Sequence, residues 1–373
     1  MNPIFEKGGK LYWLHSTVDA FETFLHVPGT VTRKGSHVRD SIDLKRILIL
    51  VVIAAVPAAL FGMWNVGYQH GLAVGDTSLN ILGNWWYGFL RVLPLYLVSY
   101  IVGLGIEFAS CQIRGEEVSE GYLVSGFFIP LIVPVDIPLW MLALAVAVAF
   151  AVIFGKEVFG GTGMNIVNPA ILTRAFLFFS YPSYMSGSNC WISLKPTEQV
   201  VDGFTGATPL ALDGASAQYG TGFWDLFIGT VPGSVGETSV IAILLGAAIL
   251  IWTGIASWKI MLSGVLGVLF VGGIADLAGI STIPAYMQLL YGGFAFGIVF
   301  MATDPVTSAQ TECGTWIYGF LIGALCVTVR LFNPGYAEGM MLAILLCNIF
   351  APLIDHCVTS AHISRKAKKL KTA

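Results

Sequence analysis

Apolar residues along the chain gather into blocks of roughly bilayer length, separated by short polar stretches. Two of the blocks are regular. One runs from about Arg46 to Gly67 and the next from about Asn84 to Cys111, each near or above the ~20 residues that a membrane-spanning helix requires. After Glu120 the pattern breaks: Gly121 to Pro134 is short and is punctuated by Pro130, Pro134 and Pro138, which predicts a broken or half-length third span. Leu139 to Gly155 follows as a fourth span and Ile166 to Tyr181 as a short fifth. The second half is predicted to repeat the plan, with spans at about Ser239 to Gly254, Trp258 to Leu277, Ile283 to Ala302, Trp316 to Phe332 and Tyr336 to Cys357.

The irregular places echo one another. Gly126-Phe127, Asp136-Ile137-Pro138 and Asn168-Pro169 have counterparts in Gly293-Phe294, Asp304-Pro305 and Asn333-Pro334 at similar spacing. Five spans in each half is an odd number, so a true repeat must be inverted across the membrane, with half-helix ends meeting near the midplane. The matching identities are few, and a chance match stays open. The expected organisation is therefore an interfacial segment at 1–45, a first five-helix repeat at 46–181, a loop at 182–235, a second repeat at 236–358 and a basic tail at 359–373.

Composition excludes a water-soluble domain. The chain is 56% hydrophobic and only 11% charged, with mean hydropathy +0.78, against ~45–50% and ~25% for soluble proteins. The net charge of −3 matters less than its layout: of the 19 Lys and Arg, 7 precede Ile47 and 5 follow His362. By the positive-inside rule both ends are cytoplasmic. No cleavable signal peptide is expected before the first span, whose polar leader instead carries aromatic and apolar residues (Tyr12-Trp13-Leu14, Phe21 to Val27) suited to the headgroup layer. The six cysteines show no Cys-x-x-Cys spacing and read as small packing residues. No iron-sulfur cluster and no nucleic-acid partner are expected.

The candidate chemistry lies in two polar stretches. Asp202-Gly-Phe-Thr205-Gly206-Ala207-Thr208-Pro209-Leu210 offers two hydroxyls on a turn stiffened by Pro209, either an ordinary loop or an acceptor for covalent modification. Gly160-Gly-Thr-Gly163-Met-Asn165-Ile-Val-Asn168-Pro169 lacks the ending of a P-loop and follows no strand. It is either a tight connection with Asn capping the fifth span or unwound backbone offering N–H groups and amides to a polar ring system. Glu107, Asp304 and Asp355 are acids within or at the ends of apolar spans, costly to insert and kept there mainly for function. They either bind a small cation or pair with Arg91, Arg174 and Arg330 or a helix end.

Asp202-x-x-Thr205-Gly206-Ala207-Thr208 resembles the flavinylation motif of bacterial redox membrane proteins, in which the last Thr carries FMN by a phosphoester bond made by a flavin transferase. Gly155 to Ala170 resembles the corresponding run in B subunits of the sodium-translocating NADH:quinone oxidoreductases. So do Phe24 to Val31, Val38 to Arg46, Pro232 to Glu237 and Ala302 to Val306, matches that extend over the whole chain. The D subunit of the Rnf complex shares the flavinylation motif but generally lacks the N-terminal segment. A small-solute channel of urea-transporter type is a further alternative, disfavoured because a channel has no use for a covalent flavin.

The resemblance implies an all-α polytopic protein of about ten helices in two inverted repeats, similar to the urea-transporter fold, in the bacterial inner membrane. It implies FMN on Thr208 in a periplasmic loop and non-covalent riboflavin contacted by Asn165 and Asn168, with Gly163 beside them. Electrons would reach FMN from the C subunit, pass to riboflavin and then to ubiquinone, coupled to Na⁺ export within a complex of six subunits, A to F. Phe176 and Phe178 match aromatic positions linked to quinone or flavin, though lipid-facing packing is the plain alternative. Gly103 resembles the first of two glycines at the quinone site, the second being Leu104 here. The resemblance ties Glu107, Asp304 and Asp355 to Na⁺ uptake and translocation.

Overall fold

The computed structural model describes residues 44–76, 78, 80–114, 121–149, 165–186, 190–194, 198, 200–201, 204–211, 222–333 and 338–372, with 18, 32 and 34–36. Most of the N-terminal interfacial segment, the whole Gly160–Met164 run including Gly163, and Asp202 lie outside them. Ordered by chain, α1 is Leu44–Val74, α2 Ile81–Arg114, α3 Tyr122–Ile132, α4 Leu139–Ala147, α5 Pro169–Ser180, α6 Val240–Trp252, α7 Trp258–Leu277, α8 Glu312–Phe332 and α9 Met340–Thr372. No strand occurs among the described residues. Within α1, α2, α7, α8 and α9 lie five segments long and apolar enough to cross a membrane.

Each boundary has a local cause. Asn168 starts α5: its Oδ1 accepts from the Ala170 and Ile171 amides, and Pro169 takes the first helical position, where the missing N–H costs nothing. Thr311 caps α8 by accepting from Gly314 N, and Ser239 caps α6 by accepting from Ala242 N, as hydroxyl caps do. Pro57, Pro94 and Pro352 sit inside α1, α2 and α9, a tolerance common in membrane helices.

Two expectations change. The span anticipated at Ile283 to Ala302 is not one helix: a 3₁₀ turn at Met287–Leu289, a break at Tyr291 to Gly293, a turn of α-helix at Phe294–Phe296 and a π-turn at Gly297–Met301 replace it. Gly292 has φ +59°, a left-handed conformation that ends the helix. At the other end, α9 continues through the basic tail to Thr372, because Lys and Arg are good helix formers once the chain has left the apolar layer.

α1 packs on α2 and α6, α3 on α2 and α5, α9 on α8 and α5, and α7 lies along α8. The α7–α8 seam is close because it is built of glycine: a Cβ on Gly323 would stand 2.1 Å from Gly264 O, and one on Gly319 2.5 Å from Ile260 O. Small residues let membrane helices approach to backbone distance, where dispersion contacts replace the missing hydrophobic drive. The two broken helices meet in the core through Phe128 of α3 and Phe296 and Phe300, with centroids 5.9 and 5.8 Å apart.

The short helix α5 separates two polar spaces inside the bundle. At ~1.5 Å per residue its 12 residues span about 18 Å, and a different cavity opens at each end. Asp136, after α3, lies toward the C-terminal end: it accepts from Ser193 Oγ (2.9 Å) and Leu194 N (2.8 Å), while Trp140 packs on Tyr181. Asp304, after the second broken helix, lines the cavity at the Asn168 end.

Candidate functional site

The segment carrying Thr208 is pinned at its start. Val201 N donates to Ala73 O at the end of α1 (2.9 Å), and Glu198 accepts from or pairs with His70 Nε2 at 2.8 Å, the His ring stacking on Tyr87. From Phe204 the chain makes two small turns: Ala207 N donates to Thr205 Oγ1 (3.3 Å), and Ala211 N donates to both Thr208 O (3.0 Å) and Thr208 Oγ1 (3.3 Å). Gly206 and Ala207 are buried, while Thr205 and Thr208 are half-buried. The Thr208 hydroxyl accepts one backbone bond and keeps its proton to give.

Thr208 stands on the wall of a cavity of about 620 Å³, within the ~300–1,000 Å³ typical of bound small molecules. Thr205 does not line it. The opposite walls come from elements remote in sequence: Arg174 and Phe178 of α5, Trp191, the Pro232–Thr238 turn before α6, Leu290 to Gly292 in the second break, Arg330 near the end of α8, and Glu338.

Arg174 forms the floor. One terminal nitrogen donates to Glu237 and the other to Glu338, and the guanidinium carbon sits 5.7 Å from the Trp191 ring centroid. The side chains are 6%, 10% and 16% exposed, so three charges are held out of water by one another, the fork of Arg matching two carboxylates at once. Arg330 is spent differently. It donates to Gln288 O (2.6 Å), Gln288 Oε1 (3.1 Å), Tyr291 O (2.7 Å) and Glu338 O (3.2 Å), satisfying carbonyls that the helix break frees. On the same wall Thr238 is 7% exposed and its Oγ1 has no hydrogen-bond partner among the described residues.

The second cavity, about 120 Å³, is bordered by Asn165, Asn168, Thr303, Asp304, Phe128 and Phe300. Asn168 caps the start of α5 through its Oδ1. Asn165 Oδ1 is buried without a partner among the described residues. Asp304 accepts from Val306 N (3.1 Å) and Thr307 Oγ1 (3.0 Å), turning the chain after the π-turn.

The remaining candidates scatter. Phe178 faces the Thr208 cavity, but Phe176, two residues away and so on another helix face, packs half-buried against the core. Gly103 borders neither cavity. It receives the Tyr122 ring, whose Cζ would be 1.8 Å from an added Cβ, and Tyr122 OH bonds Ser99 O at 2.8 Å. Glu107 is buried one turn further along α2, and Leu104 packs against the core. Asp355 of α9 accepts from Gln310 N (2.8 Å), Thr311 N (3.0 Å) and Thr311 Oγ1 (2.6 Å), bracing the start of α8. Among the described residues no three His, Cys, Asp or Glu gather as a metal site. Arg174 and Arg330 are engaged as above, and Arg91 lies over Tyr87. The ion pairs weighed for Asp304 and Asp355 with these arginines are not made.

Glu237, Glu338, Trp191 and Thr238 do not stand out in the sequence as carriers of chemistry. The signal for two of them was present, since Arg174 inside an apolar span demands a buried counter-charge. Which acid supplies it depends on how α5 meets the loops before α6 and α9.

The family model described as NQR2, RnfD, RnfE family matches residues 31–364. The chain is 43% identical to the B subunit of the Na(+)-translocating NADH-quinone reductase of Chromohalobacter salexigens, over 99% of this chain and 95% of the relative. To the B subunits of the same description from Stutzerimonas stutzeri and Ectopseudomonas mendocina it is 43% and 44% identical, over 97% of this chain and 96% of each. With a family model spanning most of its length and relatives this similar from end to end, the chain belongs to the NQR2, RnfD, RnfE family.

Proposed function

We propose that the chain is the flavin-carrying membrane subunit of a Na⁺-translocating NADH:quinone reductase, taking part in electron transfer to ubiquinone coupled to Na⁺ export across a bacterial inner membrane. The observation that carries the reading is that Thr208, the terminal residue of the flavinylation-like motif, borders a cavity of about 620 Å³ whose inner wall holds two residues with orphaned hydroxyls, Ser234 and Thr238, and a buried arginine. The naming of relatives over nearly their whole length supports this reading over an Rnf-type subunit or a channel.

FMN joined to Thr208 by a phosphoester fits that cavity in volume and polarity, and when bound it supplies one-electron transfer. Thr208 is the tether and Phe178 an apolar wall, while Arg174, bonded to Glu237 and Glu338, closes the floor. Asp202, Thr205, Gly206 and Ala207 form the motif a flavin transferase reads. Riboflavin is assigned to the Asn168 end of α5, on the strength of the unpartnered Asn165 carbonyl. At about 120 Å³ that cavity admits a ring system only if its walls part. Two inverted five-helix repeats, both termini cytoplasmic and the Thr208 loop periplasmic, accord with the paired broken helices and with Asp136 and Asp304 at opposite ends of α5. The A, C, D, E and F subunits are the partners.

The test is in-gel ultraviolet fluorescence of the denatured chain after co-expression with a flavin transferase. A bright wild-type band and a dark Thr208→Val band are expected. A bright Val band moves the attachment to another residue, and a dark wild-type band removes the flavin reading.

A further inference from the structure

Hydroxyls on the apolar elements of this protein are almost all spent locally. Thr173 donates to Pro169 O, Thr303 to Val299 O and Thr328 to Ala324 O, each closing on its own preceding turn. Thr238 cannot do this, because it lies before the first turn of α6 and has no helical carbonyl behind it. It is nevertheless 7% exposed, with Oγ1 buried and unpartnered among the described residues, and the residue lines the Thr208 cavity.

Its position is fixed by the turn that holds it. Asn65 Nδ2 donates to Val231 O (2.9 Å), Gln69 Nε2 donates to Thr230 O (3.0 Å) and Gly236 N donates to Leu131 O (2.7 Å). A side chain at Gly229 would meet Thr238 O at 2.4 Å, and one at Gly233 would meet the Thr238 methyl at 3.2 Å. Ser234, on the same turn and the same cavity wall, is 1% exposed, and its Oγ likewise has no hydrogen-bond partner among the described residues. A buried hydroxyl left without a partner on a rigid wall is costly, and here the residue that carries it borders a cavity of ligand size.

We propose that Thr238 Oγ1 is the hydrogen-bond donor to a carbonyl on the ring edge of the flavin tethered at Thr208, and that it sets the flavin's potential. This rests on the Thr208 reading. A donated hydrogen bond strengthens as its acceptor gains negative charge, so it favours the reduced ring over the oxidised one. Removing the donor lowers the one-electron midpoint.

The experiment uses the full-length chain, co-expressed with a flavin transferase and purified in detergent, with two readouts. In-gel fluorescence reports covalent attachment, and potentiometric titration followed by flavin absorbance reports the midpoint. Thr238→Val should keep the wild-type band brightness while its reduced-to-oxidised ratio at fixed potential falls about tenfold, a shift of ~59 mV for a one-electron couple. Thr238→Ser, which restores a hydroxyl, should return the ratio to within about twofold of wild type, an outcome that a purely structural role for the methyl would not give. Should the Val chain not be recovered, Thr238→Ala carries the same expectation. A bright band with a ratio unchanged in the Val or Ala chain overturns the assignment while leaving Thr208 as the tether. A dark wild-type band overturns both.

Discussion

Replacing Arg174 by Met is the sharpest test of the cavity floor. Arg174 is 6% exposed and bonds two carboxylates that are themselves 10% and 16% exposed, so truncation leaves two buried like charges with no cation between them. Breaking a buried pair by removing one partner costs about 3–5 kcal/mol, most of it the uncompensated charge rather than the lost bond. Glu237→Gln is a milder change, since Arg174 keeps Glu338 and an amide still accepts a hydrogen bond; a bond to a charged group is worth ~1.5–3 kcal/mol. The triple variant Arg174→Met, Glu237→Gln, Glu338→Gln removes every charge and should recover much of the single-variant loss, because near-isosteric neutral replacement of a buried ion cluster is often close to neutral. The assay is thermal unfolding of the detergent-solubilised chain, read by the fraction surviving gel filtration after heating. The expected order of stability is wild type, then Glu237→Gln and the triple variant, with Arg174→Met lowest. An Arg174→Met chain as stable as Glu237→Gln, or a triple variant no better than Arg174→Met, would refute the view that charge compensation holds the floor together.

The glycine at the Tyr122 ring and the acids near the span ends give two further outcomes. Gly103→Ala should destabilise by roughly 1–3 kcal/mol through overpacking, because its methyl would fall 1.8 Å from the Tyr122 ring; Tyr122→Leu in the same chain should relieve it in the same heating assay, and no relief would show that the glycine serves something other than this ring. Asp304→Asn and Asp355→Asn, and more weakly Glu107→Gln, should weaken the Na⁺ dependence of quinone reduction in the assembled complex while sparing the fluorescent band, and Na⁺ titrations superimposable on wild type in all three would take these acids off the ion path.

Much of the fold is legible in the residues themselves. A block of apolar sequence longer than a bilayer has one way to satisfy its backbone in lipid, so α1, α2, α7, α8 and α9 could be read from hydropathy alone. Prolines and glycines marked where the third span would break, and Asn168-Pro169 marked the start of α5, since caps and φ restrictions are local physics. The break at Gly292 was less visible: a glycine in an apolar run fits a straight helix as well as a left-handed turn, and the choice is made by Arg330, 38 positions later, which supplies donors to the freed carbonyls.

The chemistry divides in the same way. Composition offered Thr205 and Thr208 as two hydroxyls on one turn and the motif's terminal position singled out Thr208, but only packing against α5 and the Pro232–Thr238 turn puts Thr208 on a cavity wall and leaves Thr205 off it. It offered Arg174 as a buried base without saying which acids would meet it. It held no reason to notice Thr238, because an unmet hydrogen bond is a property of what surrounds a hydroxyl. What the chain can span with, and where it must turn, are short-range consequences of composition. Which polar groups share one cavity is set by long-range contacts among α5, α8 and the loops before α6 and α9, and so only the tertiary structure decided it.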